Sequence, residues 1–142
     1  RVYREACNHR AHGEFHRSTE MKYLYSDLTE KIIGAAIKVH KGLGPGYPEK
    51  IYQRALAEEF KKQSISFVKE QKYNIKYDGK DVGYDFMDFC VDNKVIVELK
   101  AAREIMDLHA KQLIGYLKAG NLKLGLILNF GKSKLEIKRV IV

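Results

Sequence analysis

Between Phe67 and Lys100 the chain is rich in β-branched and aromatic residues and carries two turn signals, Asp78-Gly79 and Asp92-Asn93. Residues of that kind favour a pleated, half-buried surface, and Asp-Gly or Asp-Asn pairs favour tight reversals. The segments Phe67–Tyr77, Val82–Val91 and Lys94–Leu99 are therefore predicted to be three strands of an antiparallel meander. A three-stranded ribbon cannot bury both of its faces by itself, so the flanking segments must cover it.

Those flanks have the periodicity to do so. Leu28, Ile32, Ala35, Ala36 and Val39 recur at three- and four-residue steps, which predicts a helix over about 26–41 with Ser26 or Asp27 as its N-cap. The run Gly42-Leu43-Gly44-Pro45-Gly46 ends it. Pro48 suits the first turn of a second helix, whose stripe of Ile51, Ala55, Leu56 and Phe60 reaches about Gln63. Downstream, a third helix over about 104–119 is expected to turn Ile105, Leu108, Leu113 and Leu117 inward, followed by strands at Lys123–Phe130 and Leu135–Val142. The order ααβββαββ predicts an α/β protein of the α+β kind: one mixed sheet with helices packed against it.

At 142 residues the chain can bury a core without disulfides, and residues 21–142 are expected to form a single domain. Residues 1–20 have no apolar period and read as a disordered or artificially added extension, with His9, His12 and His16 in solvent rather than on a metal. No apolar run approaches the roughly 18 residues a membrane span needs, and Arg1–Glu20 lacks the apolar stretch of a secretory signal. A cytoplasmic protein with no membrane partner is expected. Cys7 and Cys90 lie far apart and outside any Cys-x-x-Cys pattern, so neither a zinc nor an iron–sulfur cluster is expected, and Cys90 reads as a small buried hydrophobe. A net charge of +8 favours a polyanionic partner such as nucleic acid, because neutralising phosphates releases condensed counterions.

Charges interrupt the strands at Asp88, Glu98 and Lys100. Residues i and i+2 of a strand share a face, so Glu98 and Lys100 point together while Val97 and Leu99 point away. The position of Asp88 depends on the turn. A two-residue Asp92-Asn93 turn sets Asp88 opposite Val97, on the wrong face. A three-residue Asp92-Asn93-Lys94 loop pairs Asp88 with Glu98 and Phe89 with Val97, which satisfies both the chemistry and the core. Two carboxylates on adjacent strands suit a hard divalent cation, Mg2+ or Mn2+, which takes oxygen ligands and keeps several waters. Such an ion can lower the pKa of its water and bridge a phosphate oxygen, while Lys100 positions or deprotonates that water. An isolated Glu-x-Lys on a strand is most often a solvated ion pair; the preceding Asp88, the β-branched run and the helix that follows set this one apart.

Taken together, these segments resemble the PD-(D/E)XK nuclease superfamily, and within it the small GxxExxY family. Gly46-Tyr47-Pro48-Glu49-Lys50-Ile51-Tyr52 carries that family's name motif, and Val95-Ile96-Val97-Glu98-Leu99-Lys100-Ala101 looks like its Glu-x-Lys strand. The resemblance spans about residues 22–142 and implies a restriction-endonuclease-like core. It implies that Asp88 and Glu98 are the metal-binding acids, that Lys100 is the catalytic lysine, and that Glu49 is a further carboxylate in both catalysis and metal binding. By the same resemblance Gln112 and Tyr116, one turn apart with His109 on the same stripe, support the metal or the phosphate, and Tyr52 is a further supporting residue. Ordinary packing is the competing reading of Tyr52, Gln112 and Tyr116, and interaction with the helix dipole that of Glu49. Asp85 departs from the expected pattern; lying an odd step from Asp88, it is expected to face away from it.

The function expected is metal-dependent hydrolysis of DNA phosphodiester bonds, with Lys61, Lys62, Lys111, Lys118, Lys123, Lys132 and Lys134 available to hold the backbone. The alternative is a non-cleaving module of the same fold that binds nucleic acid or protein. A homodimer, which could join two single-strand cuts on a duplex, is compatible with either.

Overall fold

The computed structural model describes residues 23–142. The predicted extension at 1–20, with Cys7 and its histidines, lies outside them. Helices α1 (Ser26–Leu43) and α2 (Glu49–Lys62) precede strands β1 (Phe67–Tyr77), β2 (Lys80–Val91) and β3 (Val95–Lys100). Helix α3 (Asp107–Ala119) and strands β4 (Leu124–Asn129) and β5 (Glu136–Ile141) complete the order ααβββαββ. The five strands form one sheet in sequence order: β1, β2 and β3 antiparallel, β3 and β4 parallel, β4 and β5 antiparallel. Parallel neighbours need a long crossover, and α3 supplies it between β3 and β4. Among the described residues, no helix is long and apolar enough to cross a membrane.

Helices α1 and α2 cover one face of the sheet and α3 the other. Ile32, Ala36, Val39, Leu56 and Phe60 pack on Phe89, Val95, Val97, Leu99, Leu126 and Leu128. Leu113, Tyr116 and Leu117 pack on the opposite side against Met87, Ile96, Ile127 and Val140. Both faces of β3 and β4 are thus covered, which is why they read as nearly continuous apolar runs rather than as alternating strands. A charge inside such a run sits in a place where hydration is costly.

The three-residue connection between β2 and β3 forms as the charge pattern required. Phe89 faces Val97, Cys90 faces Ile96 and Val91 faces Val95, while Asp92 and Asn93 adopt positive φ of 53° and 54°. Asp and Asn tolerate that left-handed region better than most residues, so this sequence can close the loop where a β-branched pair could not. Cys90 is buried and free. After α1, the chain reverses through Gly44 and Gly46, whose φ values of 70° and 114° favour glycine.

Two helix starts differ from expectation. Tyr25, at φ 54°, occupies the N-cap of α1, and neither Ser26 nor Asp27 caps it; Ser26 instead lends its carbonyl to the Thr29 hydroxyl at 3.1 Å. Helix α3 begins at Asp107 because the preceding loop is tied to β4 and β5: the Ala102 N–H donates to Asn129 Oδ1 at 2.9 Å, and the Ile105 N–H to Glu136 Oε1 at 3.1 Å. Leu108 lies five residues before Leu113, about 140° around the helix from it, so it faces outward and is 68% exposed rather than part of the inner stripe.

Phe60 anchors the α2 side, fully buried with ring centroids 5.2 Å from Phe89 and 5.5 Å from Phe67. Phe60→Ala is expected to cost about 3–5 kcal/mol through lost burial and an unfilled cavity. A urea titration followed by far-UV circular dichroism checks this as a drop in midpoint.

Candidate active site

The antiparallel ladder between β2 and β3 stops at the Phe89–Val97 pair, and one residue further on the side chains take over its hydrogen bonds. The Asp88 N–H donates to Glu98 Oε1 at 2.8 Å, and the Leu99 N–H donates to Asp88 Oδ2 at 2.8 Å. Each carboxylate therefore occupies a place that a main-chain carbonyl would hold in an unbroken ladder. The strands part there, and both carboxylates are fixed by the partner strand's backbone.

The opposite neighbour of β2 is distorted at the same level. Lys69 faces Phe89 and Gln71 faces Met87, while Glu70 between them takes φ 58°. Phe89 packs under α1 and α2, whereas Met87, two residues away, packs under α3. In a regular pleat those two would share a face, so the alternation reverses at Asp88.

Helix α2 contributes Gln53, whose Nε2 donates to Asp88 Oδ1 at 2.8 Å. The residue is 2% exposed, and its Oε1 is buried without a hydrogen-bond partner among the described residues. An unpaired buried amide oxygen costs free energy that a bound cation or an ordered water would recover. The sequence reading passed over Gln53; its one signal was a polar side chain exactly one turn beyond Glu49, beside the Leu56 stripe.

Burial pushes the Glu98 carboxyl up to about 8, with the nearby Asp88 charge adding to the effect. Burial also raises Asp88, opposed by its hydrogen bonds from Leu99, Glu98 and Gln53 and by the Lys100 charge. The contact between the two carboxyls lowers Asp88 and raises Glu98, so of the two it is Glu98 that more readily keeps a proton. Lys100 follows on the same face of β3, half-buried, and its charge favours ionisation of both acids. It is backed by the Phe130 N–H, which donates to its carbonyl at 2.7 Å. Asn129, opposite Lys100 in the ladder and fully buried, grips the loop that follows through the Ala102 N–H and carbonyl.

The other predicted residues are dispersed around this pair. Glu49 begins α2, exposed, one turn before Gln53. Among the described residues no three His, Cys, Asp or Glu side chains converge, so Glu49 does not join Asp88 and Glu98 in a cage. Tyr52 is fully buried and stacked on Phe130 at 4.6 Å; its hydroxyl donates to the Gly44 carbonyl at 2.6 Å, tying down the glycine loop. His109 accepts the Met106 N–H on Nδ1 at 3.1 Å, at the start of α3. Tyr116 donates to Asp85 Oδ2 at 2.5 Å, and Gln112 hydrogen-bonds Tyr116. Gln112, Tyr116, Tyr73 and Asp85 line a groove of about 850 Å³ between α3 and β1. Burial and the Asp85 contact hold the Tyr116 phenol well above its ordinary range. Burial pushes Tyr73 up to about 12, with lesser contributions from Cys90 and Glu98.

A carboxyl raised on folding stabilises the native state while it keeps its proton. Stability is full below the ordinary glutamate value of 4.5 and is lost as pH rises through about 8. In chelator, the melting temperature is expected to fall between about pH 5 and 9, and Glu98→Gln to flatten that slope. Differential scanning calorimetry across the range reads both.

The arrangement of a parted hairpin, two interlocked acids and a following lysine sits within an element order that fits a restriction-endonuclease-like core. No curated protein and no solved structure gives a significant match to the chain. Residues 26–140, however, match the family model described as the PD-(D/E)XK nuclease superfamily, and the chain belongs to that superfamily.

Proposed function

We propose that the protein is a metal-dependent nuclease that hydrolyses phosphodiester bonds of DNA, with Mg2+ or Mn2+ as its cofactor. The observation that carries this reading is the mutual lock between Asp88 and Glu98, two half-buried carboxyls placed side by side at a break in the sheet. Two acids held together and sharing a proton are a costly arrangement for a structural element, and a divalent cation that displaces the proton relieves it. The donor set fits such an ion: two carboxylates and the unpaired amide oxygen of Gln53, with open cavity space at Asp88 for retained waters. When bound, the cation supplies Lewis-acid activation of water and phosphate.

The chain's own groups have distinct tasks. Asp88 and Glu98 hold the cation, and Gln53 keeps the Asp88 carboxylate in one orientation. Lys100, on the same face, neutralises phosphate charge and holds or accepts a proton at the attacking water. Gln112 and Tyr116 line one wall of the adjoining groove and supply polar contacts to substrate. Exposed Lys111, Lys118, Lys123 and Lys134 carry the nonspecific attraction to the backbone, whereas Lys61, Lys62 and Lys132 are engaged with Glu58, Glu59 and Glu136. A non-cleaving binding module gains nothing from clustered acids beside a phosphate, so the catalytic reading is preferred.

Labelled DNA and RNA should be cut only with Mg2+ or Mn2+ present. Asp88→Ala is expected to abolish cutting, and Lys100→Ala to slow it by about 10²–10³-fold. Gln53→Ala is expected to raise the metal concentration for half-maximal rate about 10–100-fold while leaving the maximal rate closer to native. Metal and nucleic-acid binding without any cleavage would favour the binding module.

A further inference from the structure

The reversal of the pleat at Asp88 has an effect further along β2. Asp85 and Met87 turn toward α3, one bonded to Tyr116 and the other in the core there. Tyr84 and Phe86 therefore turn to the opposite face, where they are 59% and 50% exposed. Their rings meet edge to face at 5.6 Å, and Lys72 Nζ lies 4.4 Å from the centre of the Tyr84 ring. Lys72 faces Phe86 across the β1–β2 ladder, and Asn74 faces Tyr84. Phe86 also lines, with Lys50, Gln53, Glu70 and Asp88, a cavity of about 280 Å³. Through Phe86 the aromatic pair thus adjoins Asp88 and leads away from it along the hairpin.

We infer that Phe86 and Tyr84 form a stacking track for the bases of a single-stranded nucleic acid whose backbone enters the site at Asp88. This rests on the nuclease reading above and names its substrate form. The two ring centres are 5.6 Å apart, well beyond the roughly 3.4 Å rise of stacked bases in one strand of a duplex. That spacing suits bases that have left the stack, and a paired base has no free face to offer an aromatic ring. Stacking tolerates any base, because every base has a π-face. Lys72 sets a cation over one face of the Tyr84 ring, within reach of the phosphate of a nucleotide stacked nearby, and the chain's net charge of +8 draws a polyanion to it.

The test is fluorescence anisotropy of the whole chain with a labelled oligothymidine and with a duplex of equal length, both in chelator so that nothing is cut. Phe86→Ala and Tyr84→Ala are each expected to weaken single-strand binding about 5–100-fold and to leave duplex binding within about twofold. Tyr84→Phe should retain most of the affinity, since the ring does the stacking. Leu108→Ala, an exposed apolar change on α3, should alter neither. Equal losses on both substrates, no loss on either, or no binding of the single strand by the native chain would each overturn the track. So would a native dimer in sedimentation that the alanine variants abolish, since the patch would then be a self-association surface. Because binding is read without metal, a native protein that binds the single strand through these rings yet never cuts defeats the nuclease reading alone.

Discussion

The site depends on one exchange of hydrogen bonds. At Asp88 and Glu98 the β2–β3 ladder gives up its main-chain partners, and each carboxylate accepts from the opposite strand's backbone instead. That exchange opens the sheet while giving the Asp88 and Leu99 N–H groups an acceptor, which is the condition for parting strands in an otherwise apolar layer. It also fixes both carboxylates without relying on flexible side-chain contacts. The strands part, the pleat of β2 reverses, and the residues on either side of Asp88 are delivered to opposite layers. The acids, the Gln53 amide and the exposed aromatic pair all follow from the same local break.

Electrostatics and support act on that break from different elements. Helix α2 holds Asp88 through Gln53, α3 sets Tyr116 close enough to feel the Glu98 charge, and β4 secures the chain after Lys100 through Asn129. Asn129 meets all four of its hydrogen-bonding needs with Ala102, Gly131 and Glu136. Gly131 is required there for space: a Cβ would lie 2.4 Å from the Ala102 carbonyl oxygen. A loop pinned this tightly keeps Lys100 at the end of its strand rather than letting it fray into solvent.

Much of this could be read from the residues. Two registers were open between these strands, and the pairing of Asp88 with Glu98 and of Phe89 with Val97 selected the three-residue connection that forms. Periodicity located all three helices because their apolar stripes are strong. Leu108 was misjudged because its five-residue step to Leu113 carries it off the inner stripe of Leu113, Tyr116 and Leu117, and the helix starts late because the Asn129 and Glu136 side chains hold the preceding loop. Gln53 and Asn129 were missed for a related reason: a lone buried amide has no period and earns its role only through partners 35 and 27 residues away. The reversed pleat was likewise hidden, since it comes from backbone geometry at Glu70 and Asp88 that no residue type announces.

The most direct test of the central claim, that Asp88 and Glu98 are a proton-sharing cation site, is the number of protons released when Mn2+ binds. It is measured by isothermal titration calorimetry at pH 7 in buffers of different ionisation enthalpy. The account predicts release of about one proton per ion, since the raised Glu98 carboxyl must ionise to become a ligand, and loss of binding in Asp88→Ala. Binding without proton release, or binding unchanged in Asp88→Ala, would place the cation elsewhere and contradict it.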